Sequence, residues 1–237
     1  MERLQKKIAG LGYCSRRKAE ELITKGLVEV NGEVVTKLGT TVKPGDIIVV
    51  EGNILDTNKN YEYYLLNKPK GVVTTTSDEK GRTTVVDLID TTTRIYPVGR
   101  LDYDTTGIIL LTNDGELSNI LTHPSRDIEK EYVAKIKGFL TKEETTKLSN
   151  GVLLNGIKTK PAYFKMKKYD KKTDTAYVRV IITEGRNHQV KDMFKSVGKD
   201  VLKLTRERYA FLDLGNLKSG EYRKLTIKEV KMLYSLK

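Results

Sequence analysis

Asp102, Asp104 and Asp114 lie close together in the segment GRLDYDTTGIILLTNDG. An ionised carboxylate can attack an electrophilic carbon or take a proton from one, so each aspartate is a candidate for either task. Asp and Thr are also the residues of turns, and the segment reads as a polar turn feeding an apolar strand at Ile108 to Thr112. Asp114, in Asn113-Asp114-Gly115, reads as a turn and helix-entry residue. Spacing alone selects none of the three. Other reactive chemistries are poorly supplied. His123 and His188 form no ligand cluster in the sequence and read as structural or surface residues. No glycine-rich, lysine-bearing phosphate loop is present. Cys14 is the only cysteine, which excludes an intrachain disulfide and suits a small structural residue between helices better than a catalytic thiol.

Charge points to the partner. Forty-three Lys and Arg face 31 Asp and Glu, a formal net charge of +12. Such an excess favours a polyanion, because phosphates exchange their counterions for basic side chains. With 38% apolar and 31% charged residues, the composition is that of a globular rather than a disordered chain. Ile108-Ile109-Leu110-Leu111 is too short an apolar run to cross a bilayer, and MERLQKKIAG lacks the apolar stretch of a signal peptide. A cytoplasmic location without membrane attachment is expected.

Two parts are expected to position these residues. Leu4, Ile8 and Leu11 give a short amphipathic helix. Ser15 caps a second, with Ala19, Leu22 and Ile23 inward and Gly26 as its stop. Asn31-Gly32 between alternating β-branched residues predicts a hairpin over Val28 to Val35, and Lys43-Pro44-Gly45-Asp46 a turn before a strand at Ile47 to Val50. Arg16, Arg17 and Lys18 open the second helix, where free N–H groups also attract phosphate. Residues 51–60 read as a polar linker. Beyond it, strands are expected at Tyr63 to Leu66, Ile108 to Thr112, Glu131 to Lys137 and Tyr177 to Thr183, with a polar loop at Thr74 to Arg82. Helices are expected at the capping boxes Thr141-Lys142-Glu143-Glu144 and Thr226-Ile227-Lys228-Glu229, and over Asn187 to Val197 with Val190, Met193, Phe194 and Val197 inward. Strands outnumber helices without βαβ alternation, which predicts an α+β fold with a mixed, largely antiparallel sheet.

The first part, through RLQKKIAGLGYCSRRKAEELITKGLVEVNG and VKPGD, resembles the S-four-type RNA-binding domain, here residues 1–57. The remainder, residues 61–237, is similar to the catalytic domain of the RsuA/RluB family of ribosomal RNA pseudouridine synthases. The matching segments are NKPKGVVTT, GRLDYDTTGIILLTNDG, IEKEYVAKIKG, EGRNHQVKDMF and LTRERYAFLDLG, and the likeness is to the RluB branch, which acts on large-subunit RNA. Small-subunit RNA, or a non-catalytic role in ribosome assembly, are the alternatives. The resemblance implies that Asp102 is the catalytic aspartate, that Tyr132 packs on the target uracil and that Val190 lines the opposite side of the pocket. A buried carboxylate needs a counter-charge, and the family's position for it falls on Lys191. The family's usual residue there is arginine followed by a second arginine, whereas this chain reads Lys191-Asp192. Lysine keeps the charge without the two-pronged pairing of a guanidinium. Arg100, two residues before Asp102, shares its face if the chain is extended and is placed to contact RNA phosphate. The reaction exchanges one bond within a nucleotide, so the resemblance implies no cofactor and no metal. The expected partner is ribosomal RNA or a subunit precursor, and a monomer is the default.

Overall fold

The computed structural model describes residues 1–56 and 60–236; residues 57–59, inside the expected linker, lie outside the described residues. The chain forms two compact units. One is Met1–Glu62 with Thr91–Ile95 and Asn113–Gly115; the other is the remainder.

The first unit runs β1 (Glu2–Arg3), α1 (Leu4–Gly10), α2 (Arg16–Thr24), β2 (Val28–Val30), β3 (Glu33–Val34), β4 (Thr41–Val42), β5 (Ile48–Val50) and β6 (Asn53–Ile54). Ser15 Oγ accepts the Lys18 N–H at 3.1 Å, which starts α2 where the cap was expected. Its inward stripe, Ala19, Leu22 and Ile23, joins Leu4, Ile8, Val28 and Ile48 in one core. Asn31 and Gly32 both have positive φ, 53° and 83°, so β2 and β3 meet in the tight turn that Asn-Gly favours. The linker reading is corrected at its start. Glu51 and Gly52, with φ of 50° and 79°, make a second turn of the same kind, and β6 pairs back on β5. Glu-Gly is a weaker turn signal than Asn-Gly, and β6 is exposed, so no apolar alternation marked it.

The second unit runs β7 (Tyr63–Lys68), β8 (Tyr96–Val98), β9 (Thr106–Thr112), α3 (Gly115–Thr122), β10 (Lys130–Lys137), α4 (Lys142–Ser149), β11 (Leu153–Leu154), β12 (Ile157–Lys158), β13 (Tyr163–Asp170), β14 (Thr175–Ile182), α5 (Gln189–Lys195), β15 (Val201–Tyr209), β16 (Leu212–Asp213), β17 (Tyr222–Lys224) and α6 (Ile227–Tyr234). Among the described residues one nine-stranded sheet has the order β13-β14-β10-β15-β9-β7-β17, with β8 on β9 and β16 on β15. All its pairings are antiparallel except β9 with β15. This is the mixed α+β architecture expected from the sequence.

Strand β10 alternates. Tyr132, Ala134 and Ile136 are buried on one face, while Val133 and Lys135 are half-buried on the other. On the inner face α5 lays Val190, Met193 and Phe194 inward, and Phe194 meets Phe164 of β13 edge to face with centroids 5.5 Å apart. The helix is shorter than expected, because His188 sits in the left-handed region (φ 52°) and the chain is not helical before Gln189; Val197, past the last turn, is half-buried. Both capping boxes form as read, at Thr141/Glu144 and Thr226/Glu229.

Candidate active site

Asp102 lies on the turn between β8 and β9, and that turn is clamped from below. The Lys68 side chain is fully buried at the end of β7 and donates to the carbonyls of Thr105 at 2.9 Å and Pro69 at 3.1 Å. Gly71 N–H donates to Tyr103 O at 2.9 Å, and the Thr74 hydroxyl donates to Leu101 O at 2.7 Å. The NKPKGVVTT segment is thus the bracket that holds the carboxylate's backbone. Burial pulls the Lys68 ammonium down to about 8, opposed by the nearby charges of Asp102 and Asp104.

The bracket extends to the parallel strand pair. Gly107 of β9 has φ 104°, and a Cβ there would stand 2.1 Å from Arg206 O. Only glycine lets β9 and β15 approach in this register, with Thr106 opposite Thr205 and Gly107 opposite Arg206. The Arg206 side chain, 2% exposed, donates through Nε to Ile108 O at 2.8 Å. Its guanidinium lies over the rings of Tyr209, 5.0 Å from the centroid, and Tyr132, 6.0 Å, and its Nη1 is 3.5 Å from the Tyr132 hydroxyl. Its Nη2 has no hydrogen-bond partner among the described residues.

The counter-charge comes from α5. Lys191 Nζ is 3.1 Å from Asp102 Oδ2 and 2.6 Å from Asp104 Oδ1, so one ammonium serves two carboxylates. Burial works against the charged lysine, yet its bonds to Asp104 and Asp102 outweigh that and raise its pKa. The same bond from Lys191 holds the Asp104 carboxyl below its ordinary value. The turn before α5 is tied by Gln189, which accepts from Arg186 N–H at 2.9 Å and donates to Glu184 at 2.6 Å. His188 is exposed, in keeping with its reading as a structural or surface residue, and its Nε2 lies 3.5 Å from Asp102 Oδ1.

These groups surround a pocket of 410 Å³, within the range of about 300–1,000 Å³ common for small-molecule sites. Asp102, Tyr132 and Val190 all line it, as do Lys130, Arg206 and His188. Lys191 meets Asp102 beside it. Arg100 lines it too, with its guanidinium 3.4 Å from Asn187 Oδ1. Arg16, Arg17 and Lys18 are exposed on α2 of the other unit. The inner end of the pocket is cationic. Lys130 donates to Ile128 O and Thr183 O at 2.9 and 3.2 Å, and burial together with the charge of Arg206 brings it down to about 8. Burial raises the Tyr209 phenol to about 12.

Asp104 was one of three candidate carboxylates and His188 read as a structural or surface residue, whereas Lys68, Lys130 and Arg206 were not singled out from sequence. A signal existed for two of them. Strand alternation puts Lys130 on the inward face with Tyr132, Ala134 and Ile136, and Arg206 inward with Leu204. Among the described residues no group of three or more His, Cys, Asp and Glu is arranged to hold a metal ion, and no helix is long and apolar enough to cross a membrane.

A sequence-family model described as RNA pseudouridylate synthase matches residues 62–196, and one described as S4 domain matches residues 2–48. The ribosomal large subunit pseudouridine synthase B of Bacillus subtilis (strain 168) is 52% identical over 237 residues, covering 100% of this chain and 97% of that protein. The dual-specificity RNA pseudouridine synthase RluF of Escherichia coli (strain K12) is 38% identical, covering 99% of this chain and 79% of that one. A crystal structure of a pseudouridylate synthase superposes with a TM-score of 0.71 at 33% identity, covering 98% of this chain and all of the other. A pocket built around an aspartate on a clamped turn, a buried tyrosine and a helix-borne cation thus sits in a chain that belongs to the RNA pseudouridylate synthase family and carries an S4 domain at its N-terminus.

Proposed function

We propose that this chain isomerises a uridine of large-subunit ribosomal RNA to pseudouridine, with Asp102 as the catalytic carboxylate. The observation that carries the reading is the Asp102 to Lys191 pair at 3.1 Å, beside a pocket lined by Tyr132. A base taken out of its stack needs an aromatic face to lie on, and Tyr132 supplies one with Val190 lining the same space. The reaction breaks the bond from uracil N1 to the ribose, turns the base and joins C5 to the same carbon; C5 loses a proton and N1 gains one. The atoms balance within one nucleotide, so no redox or group-transfer cofactor is needed. Lys191 sets a positive charge 3.1 Å from the Asp102 carboxylate, and Arg100 contacts a phosphate beside the target. Arg16, Arg17 and Lys18 bind RNA from the N-terminal domain, residues 1–57, ahead of a catalytic domain of residues 61–237. The protein works as a cytoplasmic monomer on ribosomal RNA or a subunit precursor.

The test maps pseudouridine by carbodiimide treatment and reverse transcription of ribosomal RNA from cells with and without the gene. One large-subunit stop disappears on deletion, returns with the wild-type gene, and stays absent with Asp102→Asn. An unchanged map after deletion, or full rescue by Asp102→Asn, overturns the reading.

A further inference from the structure

The strands that wall the pocket have a second face. Tyr132, Ile182, Leu204 and Arg206 point to the pocket side of the sheet, and their neighbours in sequence point the other way. Cross-strand register sets those neighbours in rows. Lys168 of β13 is opposite Tyr177 of β14, Tyr177 is opposite Lys135 of β10, and Lys135 is opposite Lys203 of β15. In the adjoining row Lys165 is opposite Arg179. Contacts agree with this placement: Lys135 Nζ lies 5.7 Å from the Tyr177 ring centroid, and the Arg179 guanidinium 5.7 Å from that of Tyr163.

Two features of this face are unfavourable for folding alone. Lys135 with Lys203, and Lys165 with Arg179, are like charges directly opposite each other, an arrangement that destabilises a sheet. Glu131 neutralises Arg179, at 2.6 Å, and Arg208, at 2.9 Å. No carboxylate among the described residues is within ion-pair distance of Lys135, Lys165, Lys168 or Lys203. Lysines on β13 also guard an edge strand against pairing with another sheet. That explanation does not reach Lys135, because β10 is paired on both sides at this position, with Tyr177 of β14 and Lys203 of β15. Tyr163 and Tyr177 remain 44% and 36% exposed among these cations. Exposed aromatic rings interleaved with unpaired lysines on an open sheet are what a single-stranded polynucleotide needs: faces for bases to stack on, and cations for its phosphates.

We propose that this outer face is a second RNA-binding surface, which grips an unpaired segment of the substrate RNA remote from the target uridine. The inference rests on RNA being the substrate, as set out above. It assigns to Lys135 and Lys203 a part in holding long RNA and none in the chemistry of the pocket.

The full-length protein and its Lys135→Gln/Lys203→Gln variant are compared in filter binding to a large-subunit ribosomal RNA transcript across a salt series. Removing like-charge repulsion leaves the fold intact, and thermal melting at or above the wild-type temperature checks it. The variant binds the transcript about tenfold more weakly at low salt, and its plot of log affinity against log salt is flatter by about 1.4, the value for two lost single-strand phosphate contacts. Lys135→Arg/Lys203→Arg retains wild-type binding. Isomerisation of a short stem-loop excised around the mapped uridine is unchanged in either variant. Unchanged affinity and slope in the glutamine variant overturn the proposal. So does equal weakening by Lys218→Gln/Lys228→Gln, exposed lysines of the β16–β17 loop and of α6, which would show a response to net charge alone. Binding is read independently of turnover, so failure of this surface and failure of the enzymatic reading give different results.

Discussion

Lys191 divides itself unequally between Asp104 at 2.6 Å and Asp102 at 3.1 Å. The geometry alone does not separate the two aspartates, but their surroundings do: Asp104 is 55% exposed in its side chain, against 23% for Asp102, which also faces His188 and lines the pocket. Steady-state kinetics should separate them further. Asp104→Asn frees the ammonium for Asp102 and keeps kcat within about tenfold of wild type. Lys191→Ala leaves two carboxylates without their cation and lowers kcat by about 10²-fold, while Lys191→Arg restores most of it because the charge returns. If Lys191→Ala and wild type turn over equally, the lysine has no part in the site. Sequence named Asp102, Tyr132 and Lys191 through family likeness. It missed that Asp104 competes for the lysine, since two charges 87 positions apart meet only when α5 packs against the β8–β9 turn.

At the scale of the element, local chemistry was the more legible. Capping boxes, the Asn31-Gly32 turn and the alternation of β10 need only near neighbours, and they appear as read. Helix α6 shows how a local signal is reinforced by the strand just before it. Glu229 accepts from the Thr226 N–H at 2.8 Å within its capping box, and it also takes both prongs of Arg223, at 2.7 and 2.9 Å. The Arg223 guanidinium lowers the Glu229 carboxyl from the ordinary 4.5 to about 2. A carboxyl with a depressed folded-state pKa contributes its stabilisation in full above its unfolded value, and loses it as pH falls from about 4.5 towards about 2. Glu229→Gln therefore costs about 1–3 kcal/mol at neutral pH, and the difference in chemical-denaturation midpoint from wild type shrinks across that acid window. A difference constant from pH 7 to pH 2 would remove the ion pair as its cause. The expected helix over Asn187 to Val197 was cut short by the left-handed His188, a backbone state imposed by the tied turn of Arg186 and Gln189 rather than by propensity.

For the whole molecule, the two units have separate cores. One gathers Leu4, Ile8, Leu22 and Val28; another lies within the second unit, around Leu65, Ile108, Leu110, Leu121 and Tyr209. A chain lacking the residues before Asn60 should keep the circular-dichroism signature and cooperative melting of the larger unit. Its affinity for ribosomal RNA should fall, with a flatter salt dependence, because the phosphate contacts proposed for Arg16, Arg17 and Lys18 are gone. Undiminished affinity would remove the RNA-binding role given to that segment. By itself the sequence determined the basic character of the chain and its division into a small helix-and-hairpin part and a larger α+β part, and its family resemblance named the aspartate proposed as catalytic. These are written in composition, in periodicity and in contiguous motifs. Only the tertiary structure decided which charges share the aspartate's turn, that Lys68 brackets it from beneath, that Lys130 and Arg206 make the inner pocket cationic, and that an unpaired basic face lies behind it. The physical reason is that each of these depends on strand order and register: β15 pairs with β9 on one side and β10 on the other, and no local stretch of chain encodes which strands will be neighbours.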